Sequence, residues 1–315
     1  VIEEQRLRRT NVVILVVLVL LAIAAGVFTQ YYLAGSQAPV QLRVFAAASL
    51  THAVQDNSTL QAFEEANNAK VLFNVGGSDA LYAQIYAGSP ADVYMAADSS
   101  WLVKLNQNGL LYNSKYWNFT SNILIVILPP DNPKNIKSLS DLAAPGVRIA
   151  VSAWTVPAGK YTNITITKID KMWGNKASST YKGPEWENYR QRVIANIITY
   201  ETTVEQVVGK VLAGTVDAGF AYGSDATFLG QSKLKTVSIP SDVNIQAAYG
   251  IGVLKNSTHY DLATKYVNFW LSQDGQALLA KYGFGSTLSA TSQSIVAIQF
   301  QTAVEELEDM HMGKY

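Results

Sequence analysis

Four turns in this sequence carry the residue types of an anion site: Ala46-Ala47-Ala48-Ser49, Gly76-Gly77-Ser78-Asp79, Val156-Pro157-Ala158-Gly159 and Thr202-Thr203-Val204-Glu205. Each stands where a helix is expected to begin, the first three following an expected strand. A helix start exposes unpaired backbone N–H groups and the positive end of the helix dipole, a combination that attracts anions. Pro157 has the residue type that suits a first helical position, and Thr202 with Glu205 reads as a capping box. The small residues let the backbone approach a compact ligand. None of the four turns contains Lys or Arg, which a nucleotide or sugar-phosphate site usually adds. A single Ser or Thr at such a turn is ordinarily a plain cap, so the reading rests on the four turns together.

Other chemistries are less well supplied. Ser49 and His52 have the types of a nucleophile and its base, three residues apart on one helix. No third group orients the imidazole, and a serine at the helix start lies away from it, so an enzyme is not expected. There is no cysteine, and hence no disulfide, thiolate metal site or cysteine nucleophile. The histidines, His52, His259 and His311, are not in metal-ligand spacing. Lys plus Arg and Asp plus Glu are balanced at 24 each, whereas a nucleic-acid binder needs a basic excess.

The turns require strands before them and helices behind them. Leu42–Ala46, Lys70–Val75 and Asp92–Ala96 read as strands, with helices over 49–67, 79–87 and 99–108. Asn122–Leu128 is a long apolar strand stopped by Pro129-Pro130. A second set follows: strand Val147–Val151, a helix opened by Pro157, a helix near Trp186–Ile198, a helix over Thr202–Leu212, strand Val216–Tyr222, strand Ala247–Leu254, and helices over 258–272 and 274–282. Alternating strands and helices predict an α/β fold with a parallel sheet. Two long apolar strands crossing between lobes would leave a cleft, with lobe 1 formed by 41–122 and 250–315 and lobe 2 by 123–249. Ligands of such sheets bind beyond the carboxyl ends of the strands, where the four turns lie. Residues 170–190 are an insert without clear periodicity, and the tail after Gly285 contains an amphipathic stretch, Ile295–Met310.

Ahead of the α/β part, residues 1–11 contain Arg6, Arg8 and Arg9, residues 12–32 are almost continuously apolar, and residues 33–40 read as a linker. About 20 apolar residues span a bilayer, and arginines before them place the N-terminus in the cytoplasm. The expectation is one uncleaved transmembrane anchor at the cell membrane with the remainder extracytoplasmic. A cleavable signal segment is the alternative. Asn-x-Ser/Thr sequons at Asn57, Asn118, Asn163 and Asn256 all follow this segment.

The chain resembles the ModA-type molybdate/tungstate-binding proteins of ABC transporters over about residues 41–285. The resemblance is carried by Val44-Phe45-Ala46-Ala47-Ala48-Ser49-Leu50-Thr51, by Gly76 through Ile85, by Gly88-Ser89-Pro90-Ala91-Asp92-Val93-Tyr94 with Ala97-Asp98, by Val156-Pro157-Ala158-Gly159-Lys160-Tyr161, and by Val204 through Ala226. Each stretch is short; their order and spacing make them specific together. The resemblance implies a type II periplasmic-binding-protein fold, two α/β lobes with a two-strand hinge, closing on a tetrahedral oxyanion. It assigns the oxyanion to the hydroxyls and N–H groups of Ser49 and Ser78, the N–H groups of Ala158 and Val204, and the hydroxyl of Tyr222. Periodicity alone would make Tyr222 a core aromatic. A tungstate/molybdate branch that adds two carboxylates to the metal would place them near Val156 and Ala221, neither of which is acidic. The implied ligand is molybdate or tungstate, carried as cargo with no cofactor and no metal held directly by the protein. The implied partners are permease and ATPase subunits, with the chain a monomer. Sulfate binding, or anion sensing without a permease, are the alternatives.

Overall fold

The computed structural model describes residues 2–34, 38–174, 181 and 183–286, with side chains of the first helix described from residue 14 to residue 30. Helix α1 (Ile2–Ala34) precedes β1 (Val40–Ala47), α2 (Thr51–Val54), α3 (Asn57–Asn67), β2 (Ala69–Gly76), α4 (Ser78–Tyr86), β3 (Val93–Ala96) and α5 (Ser100–Gln107). Next come β4 (Trp117–Leu128), β5 (Ile149–Ser152), α6 (Pro157–Ile169), α7 (Tyr189–Asn196), β6 (Ile197–Glu201), α8 (Val204–Leu212), β7 (Ala218–Tyr222) and α9 (Gly223–Leu229). Strands β8 (Lys235–Ser238) and β9 (Gln246–Val253) and helices α10 (Tyr260–Leu271) and α11 (Gln273–Lys281) complete the described part.

The strands form one sheet in the order β2-β1-β3-β9-β4-β7-β5-β6, with β8 beside β4. The parallel pairs are β1 with β2 and β3, and β5 with β6 and β7. Strands β3, β5 and β7 are buried at every residue, as parallel strands covered on both faces must be. Two halves meet on β4. Its first part, Trp117–Ile123, runs antiparallel to β9, and its second part, Leu124–Leu128, runs antiparallel to β7 and β8. One half therefore contains β1, β2, β3 and β9, and the other β5, β6, β7 and β8.

The structure departs from the sequence reading at four places. The helix expected over 49–67 is a 3-10 turn (Ala48–Leu50), α2 and α3, broken at Asp56. The Asp56 carboxylate accepts from Thr59 N and the Ser58 hydroxyl, and also from Lys281 and Tyr282. A cap anchored from α11 and its end outcompetes helix continuation there. The helix expected near 186–198 ends at Asn196, whose amide donates to Leu142 O and Ala144 O. Residues 197–201, rich in β-branched side chains, instead form β6 on the sheet edge. Because β6 runs to Glu201, the next helix cap is Thr203 and not Thr202: Thr203 accepts from Gln206 N, and the Gln206 side chain accepts from Thr202 N. The short strand β8, mostly exposed beside β4, has no counterpart among the strands expected from the sequence. In the insert, Asp170–Gly174 is a π-helical turn, and Trp173 stacks on Tyr181 and packs edge-on against Trp186. The amphipathic stretch Ile295–Met310 lies outside the described residues.

Helix α1 has 33 residues. Its large apolar side chains from Ile14 to Phe28 are each 49–64% exposed. Among the described residues, which for the side chains of α1 run only from 14 to 30, no helix is long and apolar enough to cross a membrane.

Candidate functional site

Ser49, Ser78, Ala158, Val204 and Tyr222 line one cavity of about 20 Å³. Residues Ala47, Ala48, Gly76, Gly77 and Ala97 complete its wall from one half of the sheet, and Val156, Pro157 and Thr203 from the other. No acid, Lys or Arg is among these lining residues.

Each polar group is held at the cavity by a specific partner or by its place at a helix start. Ser78 opens α4, yet its side chain caps nothing: the helix start has no side-chain hydrogen bond. Its hydroxyl accepts from Ala97 N at 3.0 Å, and its carbonyl accepts from the Tyr94 hydroxyl at 2.7 Å. Ser49 sits in the 3-10 turn after β1, which also lacks a side-chain cap. The Ser49 and Tyr249 hydroxyls lie 2.9 Å apart, so β9 orients this serine. Ala158 is the second residue of α6, behind Pro157, and Val204 the first of α8. Neither has a carbonyl one turn earlier to accept its N–H. Tyr222 ends β7 and is fully buried, and its hydroxyl has no hydrogen-bond partner. Burial raises its ionisation well above the usual phenol range, so it stays a donor.

Two glycines permit the close approach. A Cβ on Gly159 would lie 2.1 Å from Ala153 O and 2.3 Å from Ser152 O. A Cβ on Gly77 would lie 2.8 Å from Thr202 O, so Gly77 is where backbones of the two halves nearly touch.

Charged groups stand behind this wall. Lys160 Nζ lies 2.9 Å from Asp98 Oδ2, with Asp98 1% exposed. Glu205, next to Val204, has both carboxylate oxygens buried without a hydrogen-bond partner. Burial, and then the nearby Asp225 charge, push its pKa up to about 8. Asp225 is buried too and raised to about 7 by that burial, against the hydrogen bond it accepts from Tyr222 N at 2.9 Å. In the sequence, Asp98 and Lys160 belong to the family resemblance without an assigned role, Glu205 reads as a capping side chain, and Tyr249 has no signal of its own. Only the missing helix partner of Glu205 had a local signature, the Thr203 and Gln206 pair.

This arrangement can hold a small acceptor-only species by neutral donors. It has no oriented nucleophile and no metal-ligating cluster among the described residues. The family described as bacterial extracellular solute-binding protein matches residues 42–285. The molybdate-binding protein ModA of Mycobacterium tuberculosis is 30% identical over 242 residues, covering 76% of this chain and 83% of that protein. A solved substrate-binding domain of a putative molybdenum ABC transporter from Clostridium difficile is 26% identical, covers 79% of this chain and 99% of its own, and superposes with a TM-score of 0.57. The sulfate-binding protein SubI of M. tuberculosis is 18% identical, covers 82% of this chain and 91% of its own, and has a TM-score of 0.66; it shares the fold.

Proposed function

The chain belongs to the ModA-type bacterial extracellular solute-binding proteins, and we propose that it captures molybdate or tungstate in the cavity between its two sheet halves for an ABC importer. Membership makes it a solute-binding protein of ABC transporters and not an enzyme; the bound anion is cargo, not a cofactor. The observation that carries the ligand reading is the convergence of the Ser49, Ser78 and Tyr222 hydroxyls and two helix starts on one cavity without a charged wall residue. A fully deprotonated tetrahedral dianion has only acceptors, which suits such a set of donors. Removing a dianion from water is costly unless oriented dipoles and hydrogen bonds replace hydration. Hydrogen bonds to a charged group contribute about 1.5–3 kcal/mol each, and five donors offset much of that cost. Phosphate keeps a proton near neutral pH and is served best by a carboxylate acceptor, which the wall does not offer.

In this reading Ser49 and Ser78 donate from lobe 1 (41–122 with 250–315), while Ala158, Val204 and Tyr222 donate from lobe 2 (123–249). The exchange of partners on β4 at Ile123 and Leu124 supports that division, with β4 and β9 as the hinge. Permease and ATPase subunits are the partners, and the binding protein acts as a monomer. Residues 12–32 serve as the anchor, with the binding part outside. The helical conformation of α1 and the exposed apolar side chains of Ile14–Phe28 support this. Retention of the full-length chain in membranes after alkaline carbonate washing tests the anchor; release into the wash rejects it.

Calorimetric titration of the full-length chain with molybdate, tungstate, sulfate and phosphate tests the ligand. The expected order is molybdate and tungstate ahead of sulfate, with no phosphate binding. Sulfate binding tighter than either metal oxyanion would assign the protein to sulfate.

A further inference from the structure

Asp98 and Lys160 join the two halves of the sheet. Asp98 follows β3 in one half, and Lys160 belongs to α6, which follows β5 in the other. Neither lines the cavity, but each is close in sequence to a residue that does, Asp98 to Ala97 and Lys160 to Ala158. Their 2.9 Å contact is largely shielded, with side-chain exposures of 1% and 25%. The other carboxylate oxygen of Asp98 accepts from Ser100 N at 2.9 Å, which fixes the carboxylate at the start of α5. The flexible lysine stem then supplies the reach across the gap.

We propose that the Asp98–Lys160 ion pair is the latch of the cleft: it holds the halves together over the bound anion and sets the rate of release without touching the ligand. This rests on the reading that the anion binds between the halves. The bond exists only when β3 and α6 are close, so parting the halves breaks it and returns both charges to water. A contact present only in the closed form shifts the balance between open and closed by its own free energy. Affinity differences of this kind fall mainly on dissociation.

The chain has no cysteine, so two introduced cysteines label it uniquely. Tyr86→Cys on α4 and Leu212→Cys on α8, at positions 61% and 44% exposed, place one spin label on each half. In this labelled full-length background, Asp98→Asn, Lys160→Met and the double variant are compared with the parent. Molybdate release is followed by stopped-flow fluorescence, and ligand-free label distances by pulsed electron resonance. Release is expected to be at least about tenfold faster in all three variants, with association within about threefold of the parent. The double variant should release no faster than the worse single variant, since both remove one interaction. Ligand-free distances should lengthen, and Lys160→Arg, which keeps the cation, should restore parental behaviour. Parental release rates and distances in Asp98→Asn and Lys160→Met would overturn the latch. If the parent binds none of the tested oxyanions, the ligand reading fails, and the distances alone decide the latch: longer ones support it, unchanged ones overturn it.

Discussion

The backbone N–H of Ala97 donates to the Ser78 hydroxyl at 3.0 Å, so that oxygen is already an acceptor and its single proton is free to point into the cavity. A helix-capping serine would have its oxygen engaged by its own helix start, and α4 shows no such bond. The two roles separate under mutation. A lost cap costs about 1 kcal/mol of stability and leaves affinity alone. Ser78→Ala should weaken molybdate binding on the order of tenfold to a hundredfold. It should also cost some stability, because Ala97 N loses its acceptor. Ser49→Ala should show the same loss of affinity, and in both variants molybdate should raise the melting temperature less than in the parent. Parental affinity in both variants would remove the serines from the site.

Tyr222→Phe separates binding from stability more sharply. The hydroxyl is buried without a partner, so its removal relieves an unsatisfied polar group. The ligand-free variant should melt at or above the parental temperature, while affinity falls on the order of tenfold or more. Lower stability with unchanged affinity would mean that the hydroxyl serves the core and not the ligand.

The turns are legible in the sequence because three of them put small residues between an apolar strand and a helix, and the fourth carries cap-type residues. The long-range contacts around the site are not. Ser49 and Tyr249 are 200 residues apart, and Asp98 and Lys160 are 62 apart, so no local pattern joins them. Tyr222 is apolar in its periodicity and polar only in its last atom, which is why strand reading places it in the core. The start of α8 is misread by one residue because Thr202 and Thr203 are equally good caps by type. Pairing of Glu201 with Ser152 in the sheet decides between them. At Asp56 the helix break depends on Lys281 and Tyr282, far along the chain.

Gly77→Ala tests closure from the side opposite to charge. Its Cβ would meet Thr202 O at 2.8 Å and Asp79 Oδ1 at 2.7 Å. The aspartate side chain can turn away, but the backbone carbonyl cannot without the halves moving apart. The variant should fold normally and bind molybdate more weakly, with a larger radius of gyration by solution scattering in the presence of ligand. Parental affinity and an unchanged radius would show that the halves can absorb a methyl group at that point.

Glu205→Gln should change how stability and affinity depend on pH. The folded pKa of Glu205, about 8, lies above the ordinary glutamate value of 4.5. Below the ordinary value both folded and unfolded chains hold the proton, and the group imposes no penalty. As pH rises toward 8 the unfolded chain has lost its proton while the folded chain keeps it, so stability falls with pH. Above 8 the folded chain carries a buried, unpartnered charge, and the full penalty is present. Asp225, raised to about 7, acts in the same direction. Glutamine has the shape of the protonated acid and no charge to lose. The variant should therefore melt like the parent near pH 4, below the ordinary glutamate value, and its advantage should grow to about pH 8 and then level off. Ionised Glu205, next to Val204 in the first turn of α8, also opposes a dianion in the cavity. Parental affinity for molybdate should decline above pH 8, where the ligand itself stays a dianion, and the variant's affinity should not. Melting curves measured from pH 4 to 9, with molybdate titrations at neutral pH and at pH 9, check both halves of the prediction. Parallel melting profiles for parent and variant would mean that Glu205 is ionised throughout that range and finds a partner when it is.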